Sequence, residues 1–294
     1  MRPTALWIAV LLSLSSLAEA AFGSEAPTYD LIGPLMPPGY LVQEYSSFLF
    51  GPMEATFTSQ GASARVQMHV EQSKFSNYKL LHETRGEWTE FEQQMLLDAT
   101  STLIETGSAE PELTMERSPI EGMTVRLSKR GSHWDKTLVD HKPSAAELSA
   151  MENITEPGPD SLAYPLDRVP IGYSWTMGPN TLQALFGAEM EVKNGRGDLT
   201  FREVSVVEGD SCAVIGFTLQ AKVEMTREGS FMSGSLTGEG RILRSLETGV
   251  ERENFFRGQA VFKGAWASGG GPLEGTMTGP VTITSSSRLL SKRP

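Results

Sequence analysis

Four histidines, one cysteine and 36 carboxylates are the side chains of this 294-residue chain that could carry out catalysis or bind a metal. His69, His82, His133 and His141 show no HxxxH spacing, and none has a cysteine nearby. A zinc site needs three or four such ligands, so the sequence predicts no metal site. No carboxylate pair is singled out as the acid and base of a glycosidase. We therefore predict no catalytic residue, no metal and no cofactor.

The segment GDSCA at 209–213 resembles a nucleophile elbow, in which a strand, a sharp turn and a helix present a reactive serine. Here the last glycine of the motif is alanine, and the residues that follow alternate as in a strand. We interpret the segment as a tight turn into that strand, with Cys212 as a small, partly buried apolar residue. The pair His133 and Asp135 is interpreted as a solvated strand end.

Two other short strings are interpreted as structural. RGD at 196–198 lies in VKNGRGDLTF, where Gly and Asp predict a turn between two strands. RVPIGYSWTM at 168–177 predicts a strand that is entered through Pro170 and Gly172, with Trp175 in the core.

The first twenty residues have the pattern of a secretory signal peptide. Arg2 is followed by an apolar run from Ala5 to Leu17 and by the small-residue site Ala18-Glu19-Ala20. The run is shorter than the roughly 20 apolar residues that a transmembrane helix needs. No later stretch is long and apolar enough to span a membrane. We expect cleavage after Ala20 and an exported protein, either periplasmic or extracellular.

Composition narrows the class of partner. The net charge of −11 and the pI near 5.0 indicate an acidic protein without the basic surface of a nucleic-acid binder. A single cysteine excludes a disulfide framework within the chain, so folding must depend on the apolar core. The expected partner is an apolar small molecule or a peptide. The oligomeric state stays open.

The organisation of the chain follows from its proline and glycine content. Residues 21–40 are rich in proline and small residues and predict a leader with little structure of its own. Residues 41–290 predict a β-rich domain. Two sub-domains, 41–142 and 165–287, joined by a proline-rich linker, are the alternative to one domain.

The first half of this region predicts short strands and one or two helices. Alternation in ARVQMHVEQ and in the segment 123–140 favours strands. Residues 88–105 place apolar side chains at helical spacing, although a strand is the open alternative. Residues 142–153 predict a helix, because Ser144 and Glu147 form the pattern of a capping box.

The second half shows uninterrupted alternation. One face of the first stretch is formed by Ala213, Ile215, Phe217, Leu219, Ala221, Val223 and Met225. The next three stretches place on one face Met232, Gly234, Leu236, Gly238, Gly240 and Ile242; Phe256, Gly258, Ala260, Phe262, Gly264 and Trp266; and Leu273, Gly275, Met277, Gly279, Val281 and Ile283. This pattern predicts a mainly β protein, a long curved antiparallel meander that forms a half-barrel or open barrel with one or two short helices.

Glycines on the apolar face of three strands require an explanation, since glycine weakens a strand. Strong curvature of the sheet, with little room on its concave side, is one cause. An apolar groove in which a ligand rests against the backbone is the other, and both can hold. The candidate binding residues on the concave face are Gly238, Gly258, Phe262, Gly264, Trp266 and Gly279.

Four segments carry a resemblance to a known group: 118–135 (SPIEGMTVRLSKRGSHWD), RVPIGYSWTM, 195–217 and GEGRILRSLETG. In this order they resemble secreted bacterial β-rich proteins of uncharacterised function. Such proteins are similar in pattern to half-barrel folds of the lipoprotein-carrier type, in which an open sheet surrounds an apolar cavity. The resemblance implies a fold and a binding role, and it supplies no catalytic residues.

Two functions follow as hypotheses. The first is a non-catalytic extracytoplasmic binding or carrier-type protein with an apolar concave sheet face. The alternative is a secreted hydrolase whose carboxylate and histidine site is not recognisable in the sequence.

Overall fold

The computed structural model describes residues 26–33, 38–59, 62–84, 87–107, 110–131, 133–154, 156, 163–186, 191–227, 230–266 and 273–290. The strands are β1 Thr28–Tyr29, β2 Leu41–Ser59, β3 Ala62–Thr84, β4 Glu87–Glu105, β5 Glu112–Arg117, β6 Thr124–Arg130, β7 His133–Leu138, β8 Val169–Pro170, β9 Ser174–Met177, β10 Glu191–Val207, β11 Asp210–Arg227, β12 Ser230–Ser245, β13 Glu251–Trp266 and β14 Leu273–Leu290. The helices are α1 Ala145–Glu152 and α2 Pro179–Phe186.

Twelve of the strands form one antiparallel sheet in the order β7-β6-β4-β3-β2-β14-β13-β12-β11-β10-β9, with β5 paired to β4. The first long strand, β2, pairs with the last, β14, so both halves of the chain share this sheet. Its outermost strands β7 and β9 do not pair with each other among the described residues, and the sheet is open. The predicted mainly β, open half-barrel class with short helices is confirmed.

The register fixes which side chains share a face, because directly paired residues lie on the same side of a sheet. One row across six strands consists of Phe48, Ile283, Phe256, Gly240, Phe217 and Leu199. The next row consists of Phe50, Val281, Gly258, Gly238, Leu219 and Gly197. We call the side that carries these rows the inner face. The predicted alternation of residues 213–225 on the same side as Phe256 and Phe262 is confirmed.

Two apolar clusters lie on the inner face. The larger spreads over β9 to β14 and β2, and Leu31, Tyr164, Val169 and Leu182 pack onto it. The smaller joins β2, β3, β4, β6 and β7 to Met151 of α1. One face of a single sheet therefore supplies both cores, and short segments rather than a second sheet pack against it.

A strap formed by residues 28–32 and 164–170 is fixed to the larger cluster by a buried arginine. Arg244 of β12 is 2% exposed. Its guanidinium donates hydrogen bonds to the carbonyl oxygens of Leu31 at 2.5 Å and Ile32 at 2.8 Å. It also lies 4.1 Å from the ring centroid of Tyr164, whose hydroxyl donates to Glu251. These contacts satisfy a charge that would be costly to bury alone.

The helical interpretation of residues 88–105 is wrong, because they form strand β4. Phe91, Met95, Ala99 and Leu103 are separated by four residues, an even number that also suits a strand. A register shift beside Met95 then changes which residues face inward. The apolar spacing of this irregular strand therefore also fits a helix.

The predicted turn at RGD is also wrong. Residues 194–200 pair continuously with β11 inside β10, after a bulge at Lys193. Arg196 and Asp198 contact each other, with N–O distances of 2.7–3.0 Å. The predicted helix at 142–153 is confirmed: α1 has Ser144 as its N-cap in a capping box with Glu147.

Candidate functional site: the inner face of the sheet

The sequence-predicted binding residues lie together on β12, β13 and β14. Gly238 pairs directly with Gly258, and Gly264 pairs with Gly275. Phe262 pairs with Met277 on the same face, and Gly279 pairs with Ala260. Trp266 ends β13 opposite Leu273, and its side chain lies outside the described part. The register thus brings the backbone positions of all six onto one face.

Crowding explains the glycines. A Cβ on Gly258 would lie closer than 3.0 Å to the carbonyl oxygen of Thr237, and one on Gly238 would lie equally close to that of Arg257. The same holds for Gly264 against the backbone of β12. Real Cβ atoms essentially never come so close, so the neighbouring strand itself excludes a side chain. Such close approach is what a strongly coiled sheet imposes on its inner side.

Aromatic rings occupy the space that the glycines leave. The ring of Phe256 lies over both Gly238 and Gly258, within 3.0 Å of the Cβ positions that these residues lack. Phe217 covers Gly240 in the same way, and Phe262 covers Gly234. Each ring gains contact with a bare backbone, a known way to offset glycine in a strand.

These rings belong to a larger aromatic strip, which we define as Phe48, Phe50, Phe217, Phe256 and Phe262. Phe48 and Phe50 meet edge to face at a centroid distance of 4.2 Å, and Phe50 meets Phe262 at 6.1 Å. Phe217 stacks on Phe256 at 6.1 Å. Phe256 and Phe262 are buried, whereas the other three are only half-buried. The strip therefore consists of two groups of rings, between which Ile283 pairs in register with Phe48 and Phe256, and three of its rings retain solvent exposure.

Sequence reasoning found Phe262 and missed the β2 part of the strip. Phe48 and Phe50 stand at alternate positions in SSFLFGP, a signal of a half-buried strand that was available. Their partners on β14, Ile283 and Val281, are separated from them by more than 200 residues of sequence. Periodicity alone carries no information about such a pairing.

A polar row borders the strip toward the start of β2. Glu44 pairs with Ser76 on one side and with Ser287 on the other, and all three lie on the inner face. Gln93 donates hydrogen bonds to Ser76 Oγ at 3.3 Å and to the Tyr78 hydroxyl at 3.0 Å. Burial, followed by the nearby charge of Glu251, raises the pKa of Glu44. Burial also raises the pKa of Tyr78, and the charge of Glu44 adds to this effect.

The residues first considered for catalysis do not converge. His82, His133 and His141 each lie at the surface beside one carboxylate: Glu90 at 3.5 Å, Asp135 at 3.6 Å and Glu147 at 3.1 Å. The strand-end interpretation of His133 and Asp135 is therefore confirmed.

Cys212 is fully buried with Val214 and Leu243 on the outer side of β11, as a small apolar residue. Burial raises the pKa of its thiol. The segment 209–213 leads into a strand, and the interpretation of GDSCA as a turn into β11 is confirmed.

The residues that the structure describes contain no group of three or more His, Cys, Asp or Glu placed to hold a metal ion. No helix in this part of the chain combines the length and the apolar character that crossing a membrane requires.

Comparisons with known proteins give similarity in structure alone. The sequence matches no protein-family model, and no curated protein matches it. A solved structure of lipovitellin, described for its lipid–protein interactions, is similar to this chain with a TM-score of 0.41 and 8% sequence identity. The similarity covers 88% of this chain and 26% of the lipovitellin chain. This chain therefore spans only a small part of the length of the protein that it matches.

Proposed function

We propose that this protein is an exported, non-catalytic binding or carrier-type protein whose inner sheet face takes an apolar molecule. The observation that carries the proposal is the aromatic strip. Three rings in contact and a stacked pair lie on one face of an open sheet, with Ile283 between Phe48 and Phe256 in register, and three of the five rings are only half-buried. Apolar clefts with a few convergent polar groups are the usual form of a small-molecule site.

The covering of the inner face supports the same function. The strap and α2 contribute buried side chains to the larger cluster, yet Phe48, Phe217 and Ile283 remain partly buried at its margin. A bound apolar chain lying across this margin would remove further apolar surface from water, at about 25 cal/mol per Å². For the alternative, a secreted hydrolase, the histidines give no support: His82, His133 and His141 each lie at the surface beside one carboxylate.

Phe50→Ser tests the site, because Phe50 touches both Phe48 and Phe262. We expect the variant to bind an apolar ligand at least about fivefold more weakly, as loss of a central aromatic contact typically costs over 1 kcal/mol. Native mass spectrometry of the purified protein, with the co-purified or added lipid ejected and identified, measures the bound fraction.

Leu49→Ser is the matched control. Leu49 is the next residue of the same strand, lies on the outer face and is 37% exposed. Binding by this variant should equal that of the wild type. If wild-type protein never carries an apolar ligand, or if both variants lose it equally, the inner face is not the binding site.

Export is the second part of the proposal, and it rests on the pattern of residues 1–20. We expect the N-terminal sequence of exported material to begin within two residues of Ala21. Retention of the first twenty residues in a membrane fraction would contradict this expectation.

A further inference from the structure

We propose that the inner face binds an amphiphile with a cationic amine headgroup, held by the Glu44 carboxylate while its alkyl chain lies along the aromatic strip. This inference rests on the proposed function and specifies the ligand class. It comes from the position of Glu44 on the same strand, and on the same face, as two rings of the strip.

The distance between Glu44 and Phe48 along β2 suits a ligand with a headgroup and an alkyl chain. Residues 41–50 of β2 pair without interruption on both sides, so Glu44, Ser46, Phe48 and Phe50 point to one face in sequence. Four residues of strand separate Glu44 from Phe48, which corresponds to about 13 Å. A headgroup at Glu44 therefore places the first part of an extended alkyl chain over Ser46 and the rest over the rings.

Glu44 has a carboxylate on this face that could form an ion pair with a bound cation. It is half-buried, and its carboxyl accepts no hydrogen bond from any residue in the described ranges. Glu251, by contrast, accepts a hydrogen bond from Tyr164 and pairs in register with Arg244. A carboxylate that is partly removed from water without a partner is unfavourable, and a bound cation would relieve that cost.

The surrounding charges favour a cation over an anion. The titratable groups that interact electrostatically with Glu44 are Glu251 on β13 and Tyr78 on β3, and neither supplies a positive charge. Arg244 lies beyond Glu251 and donates to two backbone carbonyls of the strap. Lys74 lies opposite Ser46 on the inner face of β3, beside the start of the alkyl chain rather than at the headgroup position. At Glu44 itself a fatty carboxylate would meet two glutamates, whereas an amine would neutralise one of them.

Three probes with the same chain separate this inference from the proposed function: dodecylamine, dodecanol and dodecanoate, each titrated calorimetrically into the mature protein at neutral pH. We expect the amine to bind about tenfold or more tightly than the alcohol, and the carboxylate to bind most weakly. Glu44→Gln should bring the amine down to the affinity of the alcohol and leave the alcohol unchanged. Glu54→Gln, an exposed glutamate on the outer side of the same strand, should change nothing.

Each outcome decides between the proposals. Equal affinities for the three probes would overturn the amine inference and leave apolar binding intact. An amine preference that persists in Glu44→Gln would overturn the assignment of the headgroup to Glu44. If no probe binds the wild type, both proposals fail. Thermal melts of the two variants establish that each is folded when it is titrated.

Discussion

Gly258→Val is expected to lower the free energy of unfolding by about 1–3 kcal/mol, because it forces a side chain against the paired strand. The added Cβ meets the carbonyl oxygen of Thr237 and lies 2.9 Å from the ring of Phe256. Two effects oppose this cost. Valine suits a strand better than glycine does. Valine also restricts the unfolded chain, which stabilises the folded protein by only about 0.4–1 kcal/mol. Since the first contact is with backbone, we expect overpacking to dominate. Urea unfolding measures the change.

Gly178→Val is the control for this substitution. Gly178 precedes α2, and nothing lies within 4 Å of the Cβ that it would gain. The control adds the same atoms in open space and should cost at most about 1 kcal/mol, from a poorer helix N-cap. A Gly258→Val protein as stable as the parent would show that the inner face has room there. The glycines would then need another explanation.

Arg244→Met should be more damaging, with an expected loss of about 3–5 kcal/mol in the free energy of unfolding. Methionine fills much of the same volume but cannot donate to the carbonyl oxygens of Leu31 and Ile32. It also removes the cation above the ring of Tyr164 and the positive charge paired in register with Glu251. Arg244→Lys retains the charge but not the planar guanidinium group. Its free energy of unfolding should lie between those of the wild type and Arg244→Met.

Arg241→Met is the matched control, on the same strand and the opposite face. Arg241 forms an ion pair with Glu253 in which both side chains are largely exposed. Such pairs contribute roughly 0–1 kcal/mol, so its removal should be hardly measurable. If Arg244→Met and Arg241→Met destabilise equally, the buried arginine does not hold the strap on the sheet.

The sequence allowed the second half of the sheet to be predicted because its alternation is uninterrupted. Residues 213–225 keep period two throughout, and their partners in β12 follow without a register shift. In β4 the shifts beside Met95 and near Thr89 break that period, and the remaining apolar spacing imitated a helix. Local pattern is reliable only where no bulge interrupts it.

The binding face could be predicted only in part for a different reason. Gly238, Gly258 and Phe262 were identifiable because they stand on consecutive strands of one meander. Phe50 and Glu44 reach the same face through the pairing of β2 with β14, which joins the two ends of the chain. That pairing depends on closing a long loop, and no short-range signal specifies it.

Photolabelling tests the central claim most directly. An alkyl diazirine, photolysed in the presence of the folded protein, attaches to the residues that its chain contacts, and peptide mass spectrometry locates the label. We predict labelling on the inner face, in the peptides that contain Phe48, Phe50, Phe217 and Ile283, with competition by an unlabelled chain. Label confined to exposed outer residues such as Leu113 and Met115, which are 65% and 64% exposed, would contradict a binding site on the inner face.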